Sequence, residues 1–218
     1  ALALPLLKSA EALTSIGKAV DYMDQTQYDL MDAELKKVEA FVSQLPEQSE
    51  VGMFVLFLRA VWYRDARGEF DTTLRLLRDV KQRVKNGKEQ DIEEIDKEIA
   101  NTIFKRGLAR TDEALARRDF EEASEILMPA VKTLGRWQTL ALLREVNHRL
   151  GKDKETRDLL QGFIDEGRAN EHVPFNLGLI CNSYLGDLEC GTKAASLVQT
   201  SGGPGLASLL RVDVLTLK

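Results

Sequence analysis

Apolar residues recur at three-and-four spacing through almost the whole chain, and each such run stops at a glycine, a proline or a short polar break. That period marks one face of an amphipathic helix, and a helix with one apolar face must lay it against another element. Pro5 to Met23 aligns Leu6, Leu7, Ala10, Leu13, Ile16, Gly17, Val20 and Met23. After Asp24 to Thr26 the pattern returns in Tyr28, Met31, Leu35, Val38, Phe41 and Val42, and Leu45-Pro46 stops it. Proline lacks the N–H a helix needs and clashes with the preceding turn. The two runs predict a helical hairpin.

Four further groups follow. Glu50 to Ala66 is apolar almost all round, which predicts a central helix ended by Gly68, and Leu74, Leu76, Leu77, Val80 and Val84 continue to an Asn86-Gly87 stop. Ile92, Ile95, Ile99, Ile103 and Leu108 keep phase and extend the next helix past Gly107, with a kink there, to Leu115. Asp119-Phe120 then opens a helix through Ala123, Leu127 and Val131, bent at Pro129 and closed by Gly135. Trp137 to Leu150 and Glu155 to Glu166 form a pair broken at Gly151. Pro174 to Leu185 and Thr192 to Gln199 form another, broken at Gly186-Asp187. Nothing upstream of Thr200 alternates long enough for a sheet strand.

The breaks themselves repeat. Gly68, Arg118, Gly151 and Gly186 lie 50, 33 and 35 residues apart, and the last two intervals approach a helix-turn-helix unit of about 34 residues. Gly68-Glu69-Phe70-Asp71-Thr72-Thr73 and Arg118-Asp119-Phe120-Glu121-Glu122-Ala123 share an order: turn residue, acid, aromatic, two polar residues, small residue. This order resembles the tetratricopeptide repeat (TPR), with Gly151 and Gly186 opening units that lack the aromatic. The resemblance covers Val51 to about Val198, with Pro5 to Leu45 as a divergent first unit. It implies an all-α, right-handed superhelix of antiparallel helix hairpins, a TPR-like α-solenoid. The expected layout is a repeat domain over 1–199 and a C-terminal loop with a capping or arm segment over 200–218.

Composition narrows the function. The 218 residues with 44% hydrophobic content suffice for one elongated domain or two small ones, and 30% charged against 6% aromatic residues favour surface helices over a β-sandwich. A net charge of −5 gives no global support for nucleic-acid binding. Val51 to Val61, the longest apolar run, contains Arg59 and falls short of the roughly 20 residues a bilayer span needs, so no transmembrane segment is expected. The first residue is Ala1 rather than Met, which leaves a removed leader open. The cytoplasm is the favoured location, with the periplasm or secretion as the alternative.

Chemistry-bearing motifs are sparse. His148 and His172 have no His or Cys partner at metal-ligand spacing, and Asp21, Asp24, Asp29 and Asp32 lack the glycine and spacing of a calcium loop. Ser201 to Gly205 is glycine-rich without the Lys-Ser/Thr of a phosphate cradle, and no G-x-S-x-G elbow exists. No catalytic residue, metal or cofactor is therefore expected, and the chain is read as no enzyme. Cys181 and Cys190, nine apart, match neither C-x-x-C nor a zinc pattern. They stay open between buried free thiols, the commoner state, and a local disulfide, which would imply an oxidising compartment.

Charge is segregated: residues 59–88 hold nine Lys/Arg against four acids, residues 21–50 eight acids against two Lys, and residues 89–99 six acids against Lys97. These blocks either pair within the stack or lie on solvated faces. The functional expectation is a scaffold or adaptor whose concave groove presents Arg59, Arg75, Arg78 and Arg83 to another protein or an acidic peptide through charge-assisted hydrogen bonds. The alternative is self-assembly through the apolar segment after Gly205, making a homo-oligomer; a helical small-ligand sensor is a third reading. Trp62, Tyr63 and Trp137 are expected in the core.

Overall fold

The structure, a computed structural model, describes residues 3–46, 49–84, 89–133 and 137–200. In chain order the helices are α1 (Ala3–Asp24), α2 (Tyr28–Val42), α3 (Glu50–Arg67), α4 (Phe70–Arg83), α5 (Glu89–Ala109), α6 (Glu113–Lys132), α7 (Trp137–Arg149), α8 (Asp153–Asp165), α9 (His172–Leu179) and α10 (Leu188–Thr200). A π-helical turn, Ile180–Tyr184, extends α9, and there is no strand among the described residues. The fold is all-α, with neighbouring helices packed in pairs: α1 with α2, α3 with α4, α6 with α7, and α9 with α10. The Asn86-Gly87 stop, the closing Gly135 and the 201–218 tail lie outside the described residues. The chain divides into two units, Ala1–Lys105 and Arg106–Lys218, with the boundary inside α5.

In the first unit, Ala12, Ile16 and Ala19 of α1 meet Met31, Leu35 and Val38 of α2 and Val55 and Leu58 of α3, all buried. The buried side of α1 keeps Ile16 of the expected stripe but takes Ala12 and Ala19 in place of Leu13 and Val20; Leu13 is 58% exposed and Val20 is half-buried. Ser49 caps α3, its Oγ accepting from the Gly52 N–H at 3.5 Å. Gly68 ends α3 with φ at 66°, a left-handed conformation that suits glycine, and the Glu69 N–H bonds back to the Tyr63 carbonyl at 3.0 Å. Thr73 on α4 is fully buried, and its hydroxyl reaches the carbonyls of Glu69 (2.9 Å) and Ala60 (3.2 Å), so a small polar residue seals the α3–α4 crossing.

Long-range ion pairs join the segregated charge blocks in this unit. Arg59 meets Asp32 and Glu39, Lys81 meets Asp96, and Arg64 meets Glu98 and Asp65, the latter also held by Lys105. Burial alone would push the Glu98 carboxyl up, but the charge and hydrogen bonds of Arg64 hold it below the usual carboxylate range. Arg64 is correspondingly held fully protonated.

The second unit corrects several expectations. α5 stops at Ala109 rather than running to Leu115, and α6 starts at Glu113, with Asp112 accepting from the Leu115 N–H at 3.0 Å as its cap. Arg118-Asp119-Phe120 is consequently the interior of α6, not a turn. The reason lies in Asp119, which is 4% exposed and receives Arg106 (2.8 and 3.2 Å) and Arg110 (2.5 Å) from the end of α5 and the turn after it. Gly107 sits directly against Phe120: a Cβ there would stand 2.6 Å from the ring. α7 also packs more closely on α6 than on α8. A buried polar chain runs from Ser124 Oγ to Asn147 Oδ1 (2.8 Å) and from Asn147 Nδ2 to Thr156 Oγ1 (2.9 Å), linking α6, α7 and α8. Gly151 and Gly186 end their helices with φ at 72° and 67°. Trp137, expected in the core, is 50% exposed.

Candidate functional site

The predicted arginines fall into different environments. Arg59 points from α3 toward α2, where it meets Asp32, approaches Glu39 at 2.5 Å and lies 5.2 Å from the Trp62 ring centroid. Its side chain is 11% exposed, so it acts mainly as a latch between the first two hairpins. Burial favours the neutral form of Asp32, but Lys36 at 2.7 Å and Arg59 hold its carboxyl below the ordinary range. Trp62 is held by its indole N–H, which donates to the Tyr28 carbonyl at 3.0 Å.

These groups form the floor of an open groove of about 350 Å³ between α2 and α4, with α3 beneath. Arg75 and Leu76 of α4 line one side and Lys36 and Glu39 of α2 the other. Helical spacing explains the α4 side: Thr73, Leu74, Leu77 and Val80 are buried, which leaves Arg75 and Arg78 on the exposed flank. Arg75 makes no ion pair or hydrogen bond to a described residue. Arg83 is drawn to Asp79 one turn back, at 2.7 and 3.0 Å. Arg59 and Arg75 therefore share the groove, whereas Arg78 and Arg83 do not line it. Lys36 and Trp62 complete it; the Asp32-to-Lys36 spacing of one helical turn was the available sign for the lysine.

A second cluster spans α7 and the α9 segment of the second unit. Trp137 stacks on His172 at 5.9 Å, Arg144 Nη1 donates to Asn176 Oδ1 at 2.8 Å, and His148 stacks on Tyr184 at 3.8 Å. Tyr184 also donates to Glu145 Oε1 at 2.6 Å, and His148 Nδ1 lies 3.1 Å from Asp153. Burial raises the Tyr184 hydroxyl and the adjoining Glu145 adds to this; burial opposes Glu145, yet Tyr184 and Arg144 hold that carboxyl low. Asn176 is buried and bonded on both its amide atoms, so this row spends its polar groups on itself. Cys181 and Cys190 form a disulfide beside it, with Cα atoms 5.7 Å apart. Sequence spacing left the state of these thiols open. No group of three or more His, Cys, Asp or Glu suited to a metal occurs among the described residues, and no described helix is long and apolar enough to cross a membrane.

A protein described as a kinesin light chain of Podosopora anserina, with nearly identical TPR-like repeats, matches at TM-score 0.53 and 17% identity over 94% of this chain and 93% of that chain. A point variant of the same protein matches at TM-score 0.52 and 17% identity, over 94% and 92%. The fold is TPR-like. No protein-family model matches the sequence, and no curated protein matches it. At this identity the TPR-like likeness describes the fold alone.

Proposed function

We propose that the chain is a non-catalytic interaction scaffold whose α2–α3–α4 groove takes an acidic segment of a partner protein. What supports this is Arg75, an exposed guanidinium at the groove with no described partner; Lys36, on the α2 side, bonds to Asp32 at 2.7 Å and still keeps 67% of its side chain exposed. A guanidinium offers a carboxylate two parallel hydrogen bonds, and a further exposed cation on the other side of the groove, even one shared with Asp32, favours a chain bearing more than one acid. Arg59, already matched by Asp32 and Glu39, shapes the floor and contributes little charge. Arg78, one turn further along α4, extends the cationic edge for a longer peptide.

Fluorescence anisotropy with labelled acidic, neutral and basic peptides of equal length tests this reading. The acidic peptides should bind most tightly, weaken as salt rises, and lose about tenfold in affinity, or about 1.4 kcal/mol, in Arg75→Glu/Arg78→Glu. Binding indifferent to peptide charge, or unchanged in the double variant, overturns the assignment of the groove.

A further inference from the structure

The α9 segment carries one feature that a plain helix would lack. A regular α-helix turns about 100° per residue, so about three turns beyond His172 the row formed by His172 and Asn176 would, after Leu179, present Ser183. The π-helical turn Ile180–Tyr184 widens the helix and delays that row by one residue, so Tyr184 arrives in it instead. Tyr184 then stacks on His148 and bonds to Glu145, while Ser183 is exposed. The extra residue is thus what makes the aromatic contact to α7.

What holds the π register is local. Cys181 lies inside the turn and is fully buried; its bond partner Cys190, in the first turn of α10, is half-buried and reachable from solvent. The Leu185 N–H bonds to the Ile180 carbonyl at 3.0 Å, and the Asp187 N–H to the Cys181 carbonyl at 2.7 Å. Asn182 presses its amide to within 1.6 Å of where a Cβ on Gly191 would stand, so the turn seats on α10 only because that residue is glycine.

We propose that the Cys181–Cys190 disulfide is a redox-controlled register lock that keeps Tyr184, rather than Ser183, facing His148. A small dithiol supplies the release. One of its thiolates attacks Cys190 Sγ, the S–S bond breaks, and the electron pair leaves on Cys181 Sγ, which takes a proton. The second thiolate of the reductant then displaces Cys190 from the mixed disulfide. Two protonated cysteines and an oxidised dithiol result. Without the bond the segment relaxes to the commoner α register, turning Tyr184 away by about 100° and dissolving its contacts with His148 and Glu145. The second unit would then present a different face in reducing and oxidising surroundings.

The test uses the full chain. It is treated with dithiothreitol under native conditions, bond cleavage is followed by alkylation and mass spectrometry, and the His148 ring protons are followed by NMR. On reduction, the ring-current displacement of His148 by Tyr184 should vanish. The amides of Leu185 and Asp187 should exchange about tenfold faster, with α6 and α7 unchanged, and reoxidation should restore both. Tyr184→Phe in the oxidised protein should keep the ring-current displacement, tying it to the stack rather than to the hydroxyl. Cys181→Ser/Cys190→Ser should resemble the reduced protein; if it does not fold, reversible reduction of the wild type decides alone. A disulfide that resists dithiothreitol in the folded protein, a reduced protein that keeps the His148 displacement, or general unfolding on reduction would each overturn the proposal.

Discussion

Gly68 to Thr73 and Arg118 to Ala123 carry the same order of side chains in opposite settings. At Gly68 the backbone turns left-handed, the chain reverses, and Phe70 begins a new helix. At Arg118 the backbone stays helical, and Phe120 lies in the interior of α6, packed on Gly107. The acids diverge most. Glu69, beside the first turn, is exposed to solvent, whereas Asp119 is buried between two arginines. A turn of this kind is decided less by the aromatic and the small residue than by whether its first residue tolerates positive φ and what its acid finds nearby.

The clasp on Asp119 is therefore the interaction that most separates the two segments. Replacing Asp119 by Asn leaves Arg106 and Arg110 facing a neutral amide. Fully buried pairs cost about 3–5 kcal/mol when one partner is removed; here the arginine side chains keep 20% and 31% exposure, so about 2–3 kcal/mol is expected. Amide exchange across the end of α5 and the start of α6 should report it. Burial alone would raise the Asp119 pKa, but Arg106 and Arg110 bring it below the ordinary value. A depressed folded pKa means the stabilisation is complete above the unfolded value of about 4 and fades as pH falls through the folded one. Acid titration should thus destabilise the wild type below about pH 4, with a shallower slope in the Asn variant; equal slopes would mean that Asp119 does not carry this pH dependence.

Next in size is Gly107→Ala. The added Cβ would press on the Phe120 ring and on Asp119 Cβ, 3.2 Å away, in a packed site. Overpacking of this kind costs about 1–3 kcal/mol. A second change, Phe120→Leu, should recover part of the loss by clearing the ring from the new methyl. A midpoint of urea unfolding unchanged by Gly107→Ala would mean that α5 and α6 part easily there.

Much of this architecture was legible beforehand because glycine and proline punctuation is a backbone property. α2 to α4 and the turns at Gly68, Gly151 and Gly186 follow from periodicity and from residues that tolerate positive φ. The α5–α6 boundary was not legible, since Asp112 as a cap competes with a nearby sequence that looks like a repeat turn, and the deciding interaction pairs residues 9 and 13 positions apart. The groove was legible in part. Segregated charge pointed to Arg59 and Arg75, but charge counts do not say which arginine is already matched by Asp32 and Glu39. The π-turn left no trace in hydrophobic spacing, because one added residue in a buried segment changes which side chain faces a neighbour without changing how apolar the segment is.

The smallest effects come from exchanging the two turn residues, and they separate backbone from side-chain causes. Gly68→Ala meets no atom within 4 Å, so its whole cost is the left-handed conformation, about 1 kcal/mol. Arg118→Gly removes an exposed side chain from a helix interior and should cost roughly 0.5–1 kcal/mol through the unfolded chain's added freedom. If residue order alone made the turn, a glycine at 118 would restore the repeat pattern and break α6 there. Because Asp119 remains clasped and Asp112 still caps the helix, α6 should instead persist through residue 118. Chemical shifts of helical Cα atoms at 117 to 120 would show this directly, and a loss of helical shifts confined to those residues would mean that the identity of one residue, not the clasp, selects between turn and helix.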